Sequence, residues 1–326
     1  MSQGKIAPPV AFCGQNCYNI GMKHTAEEIG AKMDALRLWK KAGNCNWAIK
    51  PHGTAFPFFC ASIVTGPEPV KVRFLMLEGW QTFHDFLHFR LDPNFGFYVS
   101  PMEMPHFELV ILAQGQARLF RHDPGYMPRT LTPQELELAT KILWESYGIL
   151  LRIETDGRLP LKFADDQSLF ARVENADGLW EDTPLKVIPP RTYTENIHLQ
   201  TKDIKTAKDL PFVRDEAIEL EFNLQPELMT KEPRPRCCYR LLAVDGKSGE
   251  RIIDCRASVS PESGLKGLWE ALPQQVLSGL IRHGRIPGEI RLSSGRTFRL
   301  LRALSIHLPF KLSLHDSLEV LKRARA

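Results

Sequence analysis

The chain has 326 residues, 43% apolar and 25% charged, proportions of a folded globular protein that exclude a disordered or collagen-like chain. Its length predicts two hydrophobic cores. Charge is divided unevenly: residues 236–326 hold 16 Lys/Arg against 8 Asp/Glu, while residues 1–235 hold 26 against 30. A basic C-terminal part suits an acidic or phosphorylated partner.

The longest apolar stretch, residues 56–64, has the length of one buried strand and falls far below the roughly 20 residues of a membrane helix. Residues 1–14 contain two adjacent prolines and no continuous apolar run, so no secretory signal is expected. The expectation is a soluble, cytoplasmic, bacterial protein without a membrane partner. An odd number of cysteines, 7, in a chain of this size reads as reduced structural thiols. Cys13 and Cys17, with His24 nearby, begin a zinc-like spacing that lacks a fourth ligand.

A first helix is predicted over residues 25–41. Thr25 and Glu28 form a capping box, and Ile29, Met33, Leu36 and Trp39 recur at helical spacing. Residues 56–64 and 70–77 are aromatic and β-branched and read as a hairpin across 65–69. A short helix over 79–89 and a strand over 95–99 follow, then a second hairpin of 107–112 and 117–121. His122-Asp123-Pro124-Gly125-Tyr126 is a turn, with Pro and Gly at turn positions. Thr132, Pro133 and Glu135 begin a strong helix that is expected to end at Gly148. Strands over 168–174 and 179–187 complete an α+β unit. Residues 189–211 are polar and proline-flanked, which predicts a linker and a boundary between domains 1–200 and 201–326.

In the second unit three strands are expected over 216–224, 237–244 and 251–259, with the side chains of Cys237 and Cys238 on opposite faces. A helix beginning at Pro261 is expected to break near Pro273 and continue to His283. Strand 289–292, helix 296–307, strand 310–312 and helix 315–325 close the chain. The fold class is therefore α+β, an N-terminal domain of hairpins and helices and a C-terminal α/β-like domain of three strands followed by alternating helix and strand.

That βββ-α-β-α-β-α order resembles the ribonuclease H-like fold, which implies a polynucleotide-processing architecture. Active members need carboxylates converging on two metal ions. Glu219, Glu221, Glu262, Glu270, Asp316 and Glu319 are the candidates, but the strand ending at Leu292 runs into Ser293-Ser294-Gly295 where an acid is wanted. The run Ile286-Pro287-Gly288-Glu289-Ile290-Arg291-Leu292, with Arg296, Leu300-Leu301 and Phe310-Lys311-Leu312, also resembles the C-terminal module of an uncharacterised bacterial family of unknown function. Glu78-Gly79-Trp80, after an aliphatic hairpin, is similar to domains found beside that module. Neither resemblance implies an assigned catalytic residue or cofactor.

Two constellations carry chemistry. Arg296, Arg299 and Arg302, three apart on a helix, with Arg282, Arg285 and Arg291 nearby, form a candidate basic stripe for a nucleic-acid backbone or another polyanion. In His84-Asp85-Phe86-Leu87-His88 the two imidazoles lie four apart, a zinc-like spacing on a helix with Asp85 in the base position and Glu108 or His106 as third ligand. Asp245-Gly246-Lys247-Ser248-Gly249 lacks the upstream glycine of a phosphate loop and sits at a hairpin turn. No cofactor-binding motif is present. The expectation is a non-catalytic binding or accessory protein with a basic C-terminal face, the alternatives being a metal-dependent hydrolase or nuclease, or a protein-interaction module.

Overall fold

The computed structural model describes residues 24–37, 46–64, 70–91, 100–113, 115–156, 167–228 and 234–325. Cys13 and Cys17, the strand over 95–99, the loop over 65–69 and residues 38–41 of the expected first helix lie outside the described residues. The fold is α+β with two sheets. Contacts divide the chain into two compact units, one drawn from residues 1–74, 109–119 and 132–187 and the other from 75–108, 120–131 and 188–326. Each unit is assembled from separate stretches of chain.

The first sheet has strands β1 (Trp47–Lys50), β2 (Phe58–Val64), β3 (Val70–Glu78), β4 (His106–Leu112), β5 (Ala117–His122), β6 (Ser168–Glu174) and β7 (Trp180–Lys186), in the order β5-β4-β3-β2-β1-β6-β7. In the first unit β1 pairs antiparallel with β2, Trp47 opposite Cys60, and parallel with β6, Ala48 opposite Ala171. With a neighbour on each side and cover on both faces, Trp47, Ala48 and Ile49 are fully buried. Four residues carry too little periodicity to announce a strand, and the sequence reading did not include β1. Helix α1 (Ala26–Ala35) begins at the predicted Thr25–Glu28 capping box.

Helix α2 (Gly79–Leu91) follows β3 directly, as expected. Helix α3 (Pro133–Asp156) has its capping box at Thr132 and Glu135 but passes through Gly148. The reason is the apolar stripe: Ala139, Ile142, Leu143, Ile149 and Leu150 are all buried, and the last two lie beyond the glycine. Burying them outweighs the roughly 1 kcal/mol that glycine costs within a helix. Trp47 Nε1 donates to Ser146 Oγ at 3.2 Å, so this fully buried hydroxyl is satisfied.

In the second unit the expected linker contains helix α4 (Thr201–Lys208). Only Ala207 is buried in it, so no apolar periodicity marks it in the sequence; Asp203 instead accepts a hydrogen bond from Gln274 at 2.6 Å. The second sheet is built from β8 (Phe212–Leu228), β9 (Cys237–Asp245), β10 (Arg251–Ala257), β11 (Ile286–Leu292) and β12 (Lys311–Leu314), in the order β10-β9-β8-β11-β12. The first three strands form an antiparallel meander, with Phe222 opposite Leu241 and Leu242 opposite Asp254. β11 then runs parallel to β8, and β12 parallel to β11. Parallel neighbours need a crossover, which α7 (Gly295–Ser305) supplies between β11 and β12.

The helix expected after β10 is two helices, α5 (Gly264–Glu270) and α6 (Leu272–His283), divided next to Pro273 as predicted. Helix α8 (Glu319–Arg325) ends the chain. Cys237 and Cys238 are both buried, since β9 is an interior strand. Cys60, Cys237, Cys238 and Cys255 are free thiols.

Candidate functional site

The six arginines of the expected basic stripe do not share one fate. Arg296 opens α7 with a side chain that is 1% exposed and a guanidinium 3.2 Å from the centre of the Trp269 ring. Helical residues three apart drift by about 60°, and α7 buries Leu300, Leu301 and Leu304; Arg296 falls on that inner side. It therefore leaves the solvent-facing stripe, and this corrects the sequence reading.

Arg285 pairs with Glu216 at 2.9 Å and Arg291 with Glu289 at 2.9 Å. Arg282, Arg299 and Arg302 are exposed and have no carboxylate partner among the described residues. Ser294 caps α7 by accepting from the Thr297 N–H, at 3.4 Å.

Around Arg296 the core is aromatic and charged together. Trp269 meets Phe222 edge-on at 4.9 Å, and Tyr239 stacks on Phe222 at 5.7 Å. The Tyr239 hydroxyl donates to Glu103 Oε1, and the other Glu103 oxygen accepts the Ser100 N–H at 3.0 Å. Burial, then the Glu103 carboxylate, pushes the Tyr239 hydroxyl far above its ordinary value, so it stays a donor.

On α2, His84 Nε2 bonds the Ile188 carbonyl at 2.6 Å while its ring stacks on Trp80, and His88 is exposed. Asp85 is buried between them, receiving hydrogen bonds from Tyr193 Oη and Gln81 Nε2. Burial raises the Asp85 carboxyl above its ordinary value, against the lowering effect of Tyr193 and Gln81. The expected third ligands, Glu108 and His106, gather elsewhere.

That second gathering is the set His106, Glu108 and His122, in which one ligand atom from each residue lies within 4.8 Å of the others. It is the one set of three such residues among the described residues, and it excludes His84 and His88. His106 and Glu108 are two apart on β4 and so share a face of the strand. His122 ends β5, the neighbour of β4 in the sheet.

All three residues are buried, at 1%, 3% and 1% exposure. The imidazoles stack at 4.3 Å with their planes 7° apart, and His122 Nε2 lies 2.7 Å from Glu108 Oε2. His106 Nδ1 donates to the Met104 carbonyl at 2.7 Å. Burial, with the neighbouring His122 ring, lowers the His106 imidazole to about 3, so it is neutral at physiological pH. Sequence pattern points to Glu108 and His106 but not to His122, which falls in an expected turn; only the adjacency of β4 and β5 in the sheet brings it across.

Four of the six nuclease-type carboxylates are engaged in structural roles, and Glu262 and Asp316 are exposed. Glu219 accepts the Leu321 N–H in the first turn of α8 at 2.8 Å, and Glu221 pairs with Arg325. Glu270 accepts the Asn196 N–H at 2.6 Å and pairs with Lys266 at 3.5 Å. Glu319 is held by Ser317 and Lys322. These acids form no three-ligand set among the described residues. The Gly246-Lys247-Ser248 turn joins β9 to β10, and Asp245 Oδ1 accepts from Lys247 N, Ser248 N and Ser248 Oγ, which occupies the turn amides.

Among the described residues no helix is long and apolar enough to cross a membrane. No family model matches the chain, and no curated protein matches it.

Proposed function

We propose that the protein is a non-catalytic binding or accessory protein whose C-terminal basic residues hold a polyanion, nucleic acid first. The observation that carries this reading is the trio Arg282, Arg299 and Arg302, exposed cations with no carboxylate partner among the described residues. An unpaired guanidinium is free to contact a phosphate, whereas Arg285 and Arg291 must first leave an acid. Arg299 and Arg302 lie one turn apart on α7 and so share its outer side.

The test is an anisotropy titration of a short labelled duplex over a range of salt concentrations. Each phosphate contact contributes about 0.9 to the log–log salt slope, so replacing all three arginines by Ala is expected to reduce the slope by up to ~2.7. Unchanged affinity in the triple variant overturns the reading.

A further inference from the structure

We propose that His106, Glu108 and His122 form a binding site for one divalent cation of the zinc class. Two imidazoles and a carboxylate are the donor set that suits zinc, in preference to the all-oxygen sets of magnesium and calcium. Their ligand atoms already lie within 4.8 Å of one another, and a shared ion is reached when the stacked rings tilt toward it.

The hydrogen bonds around the two imidazoles fix which nitrogens are engaged. A carbonyl accepts, so the 2.7 Å bond to Met104 O places the His106 proton on Nδ1 and leaves Nε2 as the ligand nitrogen. A backbone carbonyl behind a ligating imidazole is the usual outer-shell partner that fixes its tautomer. His122 directs Nε2 to Glu108, and its Nδ1 is buried with no hydrogen-bond partner. A buried polar atom without a partner calls for an explanation, and an ion held by two imidazoles and a carboxylate is one.

The ion would hold β4 to the end of β5, next to the turn that follows His122. Complete burial of all three residues points to a structural ion that ties the two strands.

The full-length chain, stripped with chelator and dialysed, is titrated with zinc chloride and analysed for metal content and thermal midpoint. The expected result is an ion that raises the midpoint and is lost from His122→Ala. Because that variant removes a buried ring and risks misfolding, Glu108→Gln serves as the near-isosteric second variant, with an expected weakening of tenfold or more. The double variant His84→Ala/His88→Ala is expected to bind as the parent does. Absence of zinc binding overturns the proposal, as does zinc that persists unweakened in folded Glu108→Gln or that disappears with His84 and His88.

Discussion

Replacing Gly125 by Ala strikes the turn that follows His122, at a position where two independent costs can be separated. The Tyr126 N–H donates to the Asp123 carbonyl at 3.0 Å, Pro124 and Gly125 are the central residues, and Gly125 has φ +81, which makes a type II turn. A left-handed φ costs an L-residue about 1–2 kcal/mol. The new Cβ would also lie 2.1 Å from Cγ1 of Val259, a fully buried and rotationally stiff side chain. Relieving that overlap adds about 1–3 kcal/mol, for a total near 2–5 kcal/mol.

Gly284→Ala isolates the backbone cost, since Gly284 has φ +79 and nothing within 4 Å of its would-be Cβ; about 1–2 kcal/mol is expected. In a Val259→Ala background the 2.1 Å overlap is removed and only the contact with Cβ at 3.1 Å remains, so the cost of Gly125→Ala should fall toward about 1–2 kcal/mol, a coupling of about 1–3 kcal/mol. Urea midpoints by far-UV circular dichroism measure all four variants and the parent. Hydrogen exchange at Cys237, whose N–H bonds the Gly125 carbonyl at 3.0 Å, localises the loss. The reasoning fails if Gly125→Ala is no worse than Gly284→Ala, or if removing the Val259 methyls relieves nothing.

Arg296→Ala should destabilise the chain by about 3–5 kcal/mol, summing a desolvated cation–π contact of about 2 kcal/mol with the lost packing of its buried stem. Polyanion affinity per folded molecule should stay unchanged in that variant, while Arg299→Ala should show the reverse, stability within ~0.5 kcal/mol and a salt slope lower by ~0.9. Urea melts paired with anisotropy decide it, and an Arg296→Ala protein that keeps its stability yet binds weakly would restore Arg296 to the surface stripe. For Asp85, burial raises the folded carboxyl above its unfolded value, so its contribution to stability is fully present below the unfolded value and is lost as pH rises through the folded one. Asp85→Asn should remove that decline and leave the variant at least as stable as the parent at pH 7; a pH-dependence of the thermal midpoint identical to the parent's would show that Asp85 is not its source.

Features written into neighbouring residues were legible without coordinates. The Thr25–Glu28 and Thr132–Glu135 capping boxes, the Pro124-Gly125 turn and the break beside Pro273 each depend on a few consecutive positions, and each is present. The order of three strands followed by helix and strand in alternation is present too, because each element satisfies its own periodicity. Strand β1 and helix α4 escaped, the one too short and the other too polar to carry an apolar repeat.

Pattern alone assigned the arginines of α7 a common face, and it assigned His84 and His88 a common ligand. Tertiary structure decided otherwise. Arg296 is drawn under Trp269 because the apolar side of α7 faces the core and its first turn meets that ring, and nothing in the residues beside Arg296 announces the ring's position. His122 reaches Glu108 across 14 residues of chain because β4 and β5 are neighbours in the sheet. The charge count along the chain determined the basic excess after residue 235, and local periodicity determined the mixed α+β character. Which cations meet solvent, and which imidazoles meet a carboxylate, was decided only by packing, since burial and strand pairing join residues that are distant in the sequence.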